Sequence, residues 1–411
     1  MKRRLLSFFI CLALAAVSLF VTNNANVVKA SETIISADEA VILAIAHVNS
    51  DRLSSGESFK DNIHISKVDS LINLDGNISA YLIEFDDSDK NAAGYTIVGA
   101  SREQIPIIEY AYDGRCFLDR AKQVIMENED LEETDLNIYY MGGYDYYIGK
   151  NKDSFIYKIS SNGIEKVKRS EVNSSDYCEF NKTGKDEVNL MWINLENNIK
   201  ANNINNNKKD SIVLPEGKFK SAYNTPKSST VKDNTNISYS TIYEYKGNLS
   251  QRSGPLCGVN LLKYWYRQGI DYYKLQQKNW DNVFEILYDD FNLVDNTITY
   301  PEDYLDTLKK YFKEYAGGCS SSAYYSFNVS WDKITDEIDS NYPVTLIFKG
   351  NDIFSSQYVL GIGYKEYTID TNNYRYILIA DGLGSKATRY VNYYTEYKTG
   401  TGIAAFRLRP F

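Results

Sequence analysis

Cys257 stands in the run Gln251-Arg-Ser-Gly-Pro-Leu-Cys257-Gly-Val-Asn260. Helix signals surround it: Ser253 or Gly254 can cap, Pro255 suits the first helical position, and Gly269 suits the position just past the end. Cys257 is therefore expected in the first turn. A sulfur there points at unpaired backbone N–H groups and the positive end of the helix dipole, which favours thiolate and lowers its pKa. The competing reading is a buried cysteine that only packs. Thiolate chemistry also needs a group that can move a proton, and the chain holds just two histidines, His47 and His64, both far upstream.

The elements that must position this cysteine follow from periodicity. Between its limits the Cys257 helix places Val259, Leu262 and Tyr266 on one face and Leu261 and Trp265 on another, a pattern of burial on most sides. Helical stretches follow at Trp280–Asp289, Glu302–Glu314 and Trp331–Ser340, with the loop Ala316-Gly-Gly-Cys319 between the last two. Strands then run at Pro343–Phe348, Tyr358–Tyr364, Tyr374–Ile379 and Ile403–Leu408. Helices first and sheet afterwards make an α+β domain.

Upstream, Ser36-Ala-Asp-Glu39 is a capping box opening an amphipathic helix that carries His47. Strand-like runs follow at Ile63–Val68, Ala80–Phe85, Gly94–Val98 and Ile105–Tyr112, with His64 on the first, an ordinary half-exposed strand position. Phe117–Leu131 reads as a helix, and Ser154–Ser160 with Ile164–Lys168 reads as a hairpin around Asn162-Gly163. From Leu195 to Asp210 the chain has seven asparagines among scattered lysines, and polar composition continues to about Asn236. These shifts divide the chain into 1–30, 31–114, 115–194, an Asn/Lys-rich linker at 195–237, and 238–411. The linker is either a plain spacer or a processing site.

Met1-Lys-Arg-Arg4, an apolar stretch from Leu5 to Val21 and Val28-Lys-Ala30 have the form of a secretory signal peptide cleaved after Ala30. Cys11 lies too early in the apolar stretch to be a lipid-attachment site, and no second apolar run is long enough to span a bilayer. An exported product of about 380 residues, free of the membrane, is expected, with room for two or three domains. A net charge of −9 leaves no basic face for nucleic acid or an anionic membrane. Cys116, Cys178, Cys257 and Cys319 are widely spaced with no Cys-x-x-Cys pair, which argues against a metal site, and no cofactor motif is present. A Cys116–Cys178 disulfide stays open.

Residues 33–114, especially Ala93-Gly-Tyr-Thr-Ile-Val98 and Ile105-Pro-Ile-Ile-Glu-Tyr-Ala-Tyr112, resemble the propeptide of streptopain-type cysteine peptidases. The carboxy-terminal segment is similar to papain-like peptidases of the streptopain and bacteriocin-leader-peptidase kind. It has the Gln251 to Cys257 block, Tyr342-Pro-Val344 opening a strand, Ser356-Gln-Tyr-Val-Leu-Gly-Ile-Gly-Tyr364, and Ile379-Ala-Asp-Gly-Leu-Gly384. The resemblance implies Cys257 as nucleophile, with the Gln251 side chain and the Cys257 N–H as oxyanion-hole donors. It implies Asp381 as the residue that orients the catalytic histidine, and it puts Gln357 where that histidine would stand.

A glutamine amide titrates nowhere useful, whereas imidazole serves as both base and acid near neutral pH. Loss of the base in a nucleophilic triad costs up to ~10⁶ in turnover, about 8 kcal/mol of barrier. Asp352 or Tyr358 as substitute base has a reference pKa on the wrong side, and His47 or His64 would have to reach in from the amino-terminal segment. The expectation is therefore a secreted papain-like homologue, impaired in hydrolysis, that binds a peptide or protein and its own propeptide-like domain. The alternatives are an active cysteine peptidase or acyl transferase made as a zymogen with an unorthodox base, and an adhesion or inhibitory module built on the propeptide-like part. The 36 tyrosines suit recognition surfaces, although compositional bias explains them as well.

Overall fold

Short side-chain-closed turns start the sheet. Asn73 Oδ1 accepts the N–H groups of Asp75 (3.0 Å) and Asn77 (2.9 Å), and Asp87 Oδ1 accepts those of Asp89 (3.0 Å) and Asn91 (2.9 Å). Such turns pre-form locally, and they join β1 (His64–Ile72), β2 (Ile78–Asp86) and β3 (Ala92–Gly99) into an antiparallel meander. The structure, a computed structural model, describes residues 34–52, 59–142, 145–160, 163–172, parts of 186–196, 218–223, 252–267, 280–291, 301–315, 319–324, 329–348, 357–369, 372–383, 388–393 and 403–410. The expected signal peptide, most of the linker, Asp352 and Gly269 lie outside them.

The capping box at Ser36 is formed as its sequence implies: the Glu39 carboxylate accepts the Ser36 N–H (2.8 Å) and Ser36 Oγ accepts the Glu39 N–H (3.2 Å). It opens α1 (Ala37–Arg52). After β4 (Ile107–Ala111) and α2 (Phe117–Glu129) come β5 (Leu136–Tyr140), β6 (Tyr146–Lys150), β7 (Phe155–Ser160) and β8 (Gly163–Lys168). Gly163 closes the β7–β8 hairpin at φ 110°, the left-handed region that asks for glycine there. The carboxy-terminal half supplies α3 (Ser253–Arg267), α4 (Trp280–Asp290), α5 (Pro301–Tyr315), β10 (Cys319–Tyr324) and α6 (Trp331–Asp339). Its strands continue with β11 (Val344–Phe348), β12 (Gln357–Ile369), β13 (Asn372–Ala380), β14 (Thr388–Asn392) and β15 (Ile403–Pro410). A short strand, β9 (Lys218–Tyr223), arises within the linker range and pairs antiparallel with the distal part of β12.

The architecture is α+β, and the described strands join into a single sheet of order β10-β15-β11-β12-β13-β14-β4-β3-β2-β1-β5-β6-β7-β8. The sheet runs without a break from one half of the sequence into the other, because β14 pairs antiparallel with β4 through Tyr390 opposite Tyr110 and Val391 opposite Glu109. Side chains of a strand alternate between faces. Thr345, Leu360, Ala380 and Tyr376 follow one another across the register and share a face, against which α1 and α3 pack. The opposite face takes α6, with Trp331 against Tyr364, and α2, with Asp119 bonded to Lys67 and Phe117 under Arg389. No helix among the described residues is long and apolar enough to cross a membrane.

Candidate active site around Cys257

The Leu256 N–H donates to Arg252 C=O (3.0 Å), so Arg252 caps α3 and Ser253 is its first helical residue. Cys257 is consequently the fifth residue of the helix, past the positions whose N–H groups lack an intrahelical acceptor. Its own N–H falls inside the i→i−4 ladder rather than pointing free, as the first-turn reading required. Pro255, expected at the first helical position, occupies the third.

The sulfur turns into the core. Cys257 is 1% exposed, and its Sγ–H reaches Thr345 Oγ1 on β11 at 3.8 Å. Thr345 Oγ1 shares a hydrogen bond of 3.1 Å with the Tyr304 hydroxyl of α5. Tyr304 is held between Phe291 (centroids 5.5 Å apart) and Tyr358 (4.7 Å). Burial pushes the Cys257 thiol up to about 12, and hydrogen bonds from Tyr304 and Thr345 offset only part of the rise. The expected lowering of this pKa is thus reversed, because removal of water outweighs a dipole that fades within the first turn. At neutral pH the thiol is held in its protonated form.

Gln357 is the first residue of β12 and stands opposite Phe348 in the register. Phe348 and Val359 pack with Trp331, Ile334 and Ile338 of α6, whereas Tyr358, the next residue, stacks on Tyr304 beside the thiol. Gln357 therefore lies on the face of the sheet away from Cys257, buried at 3% exposure. A one-residue difference in register decides this, since adjacent strand residues face opposite ways.

Asp381 follows β13 directly, and its carboxylate is fully engaged. It accepts the Leu383 N–H (3.1 Å) and both Nε (2.9 Å) and Nη2 (2.8 Å) of Arg389. Arg389 stands opposite Ile379, again on the α6 face, and its Nη1 donates to Glu109 Oε2 on β4. Glu109 also accepts the hydroxyls of Tyr95 (2.9 Å) and Tyr146 (3.0 Å). Asp381 serves a buried guanidinium, not an imidazole. Gln251 lies outside the described residues.

Neither histidine approaches the sulfur among the described contacts. His47 is buried on α1, with its ring 4.4 Å from that of Tyr110 and 6.2 Å from that of Tyr376. Burial, and then the charge of Lys365, hold it down at about 3, so it stays neutral. His64 is exposed at the start of β1 opposite Asp86. Cys116 is a free, buried thiol.

The residues that do surround the sulfur, Thr345 and Tyr304, were not singled out by sequence. Thr345 is the lone polar residue in the run Val-Thr-Leu-Ile-Phe of β11, a signal that it needs a buried partner. Tyr304 lies on the apolar stripe of α5 with Leu305, Leu308, Tyr311 and Phe312, where nothing marks one tyrosine from the next. No protein-family model matches the chain, and no curated protein matches it either.

Proposed function

We propose that the protein is a secreted papain-like cysteine peptidase homologue of the streptopain kind that does not hydrolyse peptide bonds and instead binds a peptide or protein. The observation that carries this reading is the Cys257 sulfur, sealed under the sheet with Thr345 and Tyr304 as its polar company and no imidazole beside it. Acyl transfer would need a thiolate, a base to make it and an acid to release the amine; a neutral buried thiol beside two neutral hydroxyls offers none of them. The nucleophile helix and the sheet beneath it suit a retained binding framework from which the proton-transfer parts have gone.

The test is turnover of casein and of a mixed fluorogenic peptide set by the purified full-length protein, with Cys257→Ala as control. No thiol-dependent cleavage is expected. Cleavage abolished by Cys257→Ala would overturn the proposal. Gln357→His should also stay inactive, because the new imidazole would lie across the sheet from the sulfur.

The zymogen reading draws on the same burial, since a precursor has reason to keep its nucleophile covered. It requires activity to appear once the amino-terminal part is removed, and cysteine-dependent cleavage after limited proteolysis would favour it.

A further inference from the structure

We propose that the amino-terminal half, residues 34–172, is a permanent docking partner of the carboxy-terminal half and not a removable leader, so that a cut in the connecting segment yields a two-chain protein. The proposal is independent of what Cys257 does. Its basis is the junction of β4 and β14, where Tyr110 lies opposite Tyr390, their rings stacked at 4.9 Å and 12°. A buried ion pair brackets that junction on each face of the sheet.

On the α1 face Lys365 Nζ of β12 meets Asp51 Oδ1 of α1 at 2.6 Å, with side chains 3% and 4% exposed. Lys365 also lies 4.8 Å from the Tyr112 ring, and the Tyr112 hydroxyl donates to Asp51 (2.9 Å). On the other face Arg389 of β14 is held between Asp381 of its own half and Glu109 of the amino-terminal half. Each pair therefore has its cation in one half and a carboxylate in the other. Separation would take from Lys365 both Asp51 and the Tyr112 ring, leave Glu109 with tyrosine hydroxyls only, and open the edge of β14 to solvent or to other chains. Separation therefore gives up two buried, hydrogen-bonded ion pairs together with the apolar surface and strand pairing around them, whereas removing one partner within the joined protein would leave the other charge buried and uncompensated. The amino-terminal half completes the sheet of the carboxy-terminal half.

The experiment inserts a site-specific protease sequence, flanked by glycines and serines, after Ser228 of the full-length protein. Complete cutting is verified on a denaturing gel, and the native product is followed by gel filtration and by dissociation on dilution. Both pieces are expected to co-elute at the mass of the uncut chain down to nanomolar concentration. Separation at micromolar concentration would overturn the proposal. In the cut protein, Glu109→Gln and Asp51→Asn should each raise the dissociation constant at least about 100-fold. Unchanged retention in both variants would refute the ion pairs as the pins of the junction. If a variant fails to fold before cutting, the cut wild-type protein still decides between retention and release.

Discussion

Cys116 and Cys257 both lie near the start of a helix, and both are closed off from water. Cys116 is the N-cap of α2, in extended conformation at φ −61° and ψ 140°, and its N–H donates to Glu84 Oε1 (2.9 Å). It sits nearer to a helix start than Cys257 does, so a dipole argument alone would make it the more acidic thiol. Yet burial, followed by the charges of Glu109 and Glu84, holds it well above the usual thiol range. Cys257 has hydroxyls around it in place of carboxylates, and burial alone raises it to about 12. The pair teaches that a helix terminus activates a thiol only where water or a cation can reach the sulfur. In this molecule the two sites differ in the chemistry of their neighbours and agree in their burial.

The comparison can be broken most forcefully at Glu109. Glu109→Ala should destabilise the fold by about 3–5 kcal/mol in urea unfolding, because Arg389 would lose a buried partner. A loss under 1 kcal/mol would show that water enters around Cys116 and that its kinship with Cys257 is false. Next comes Glu84, which burial and the nearby Asp119 raise to about 7. The unfolded chain releases this proton near pH 4.5 and the folded one near 7, so the group lowers stability as the pH rises through that window. Glu84→Gln keeps an acceptor for the Cys116 N–H and removes the charge; it should flatten this slope and gain about 2–3 kcal/mol at pH 8. Cys257→Ser should show no such pH dependence, since no carboxylate is among its partners in the described residues.

Thiol labelling sharpens the likeness directly. With a disulfide reagent at pH 8, both cysteines should react at the rate of opening of the protein, at least about 10³-fold slower than a free thiol. Faster labelling of Cys257 alone would restore its claim to be a nucleophile. The smallest effect is expected far from both: Ser36→Ala should cost about 1 kcal/mol in thermal unfolding, the ordinary worth of an N-cap.

Local signals were legible in the sequence wherever the residues concerned are close together. The Ser36–Glu39 box, the Gly163 hairpin, α2 and the helices at Trp280, Pro301 and Trp331 all lie within a residue or two of the positions that capping and periodicity gave. Tyrosine-rich β5 and β6 went unread because Leu-Asn-Ile-Tyr-Tyr and Tyr-Tyr-Ile-Gly-Lys lack clean alternation; both are buried on nearly every residue. The site was far less legible. Whether Gln357 or Tyr358 faces the sulfur depends on strand register, and Asp381 is diverted by Arg389, whose other anchor is Glu109, in a distant part of the chain. Residue types named the candidates; only the pairing of strands could say which of them meet.

The β4–β14 seam also fixes an order of events during biosynthesis. Glu109 and Arg389 are 280 positions apart, so the amino-terminal meander emerges from the ribosome long before its neighbouring strand exists. Until then β4 is an open edge carrying Ile107, Ile108 and Tyr110, the kind of surface that captures other extended chains. Closing so long a loop is slow compared with forming the turns at Asn73 and Asp87. A chaperone that shields that edge should raise the yield of native protein more than one acting on the late helices.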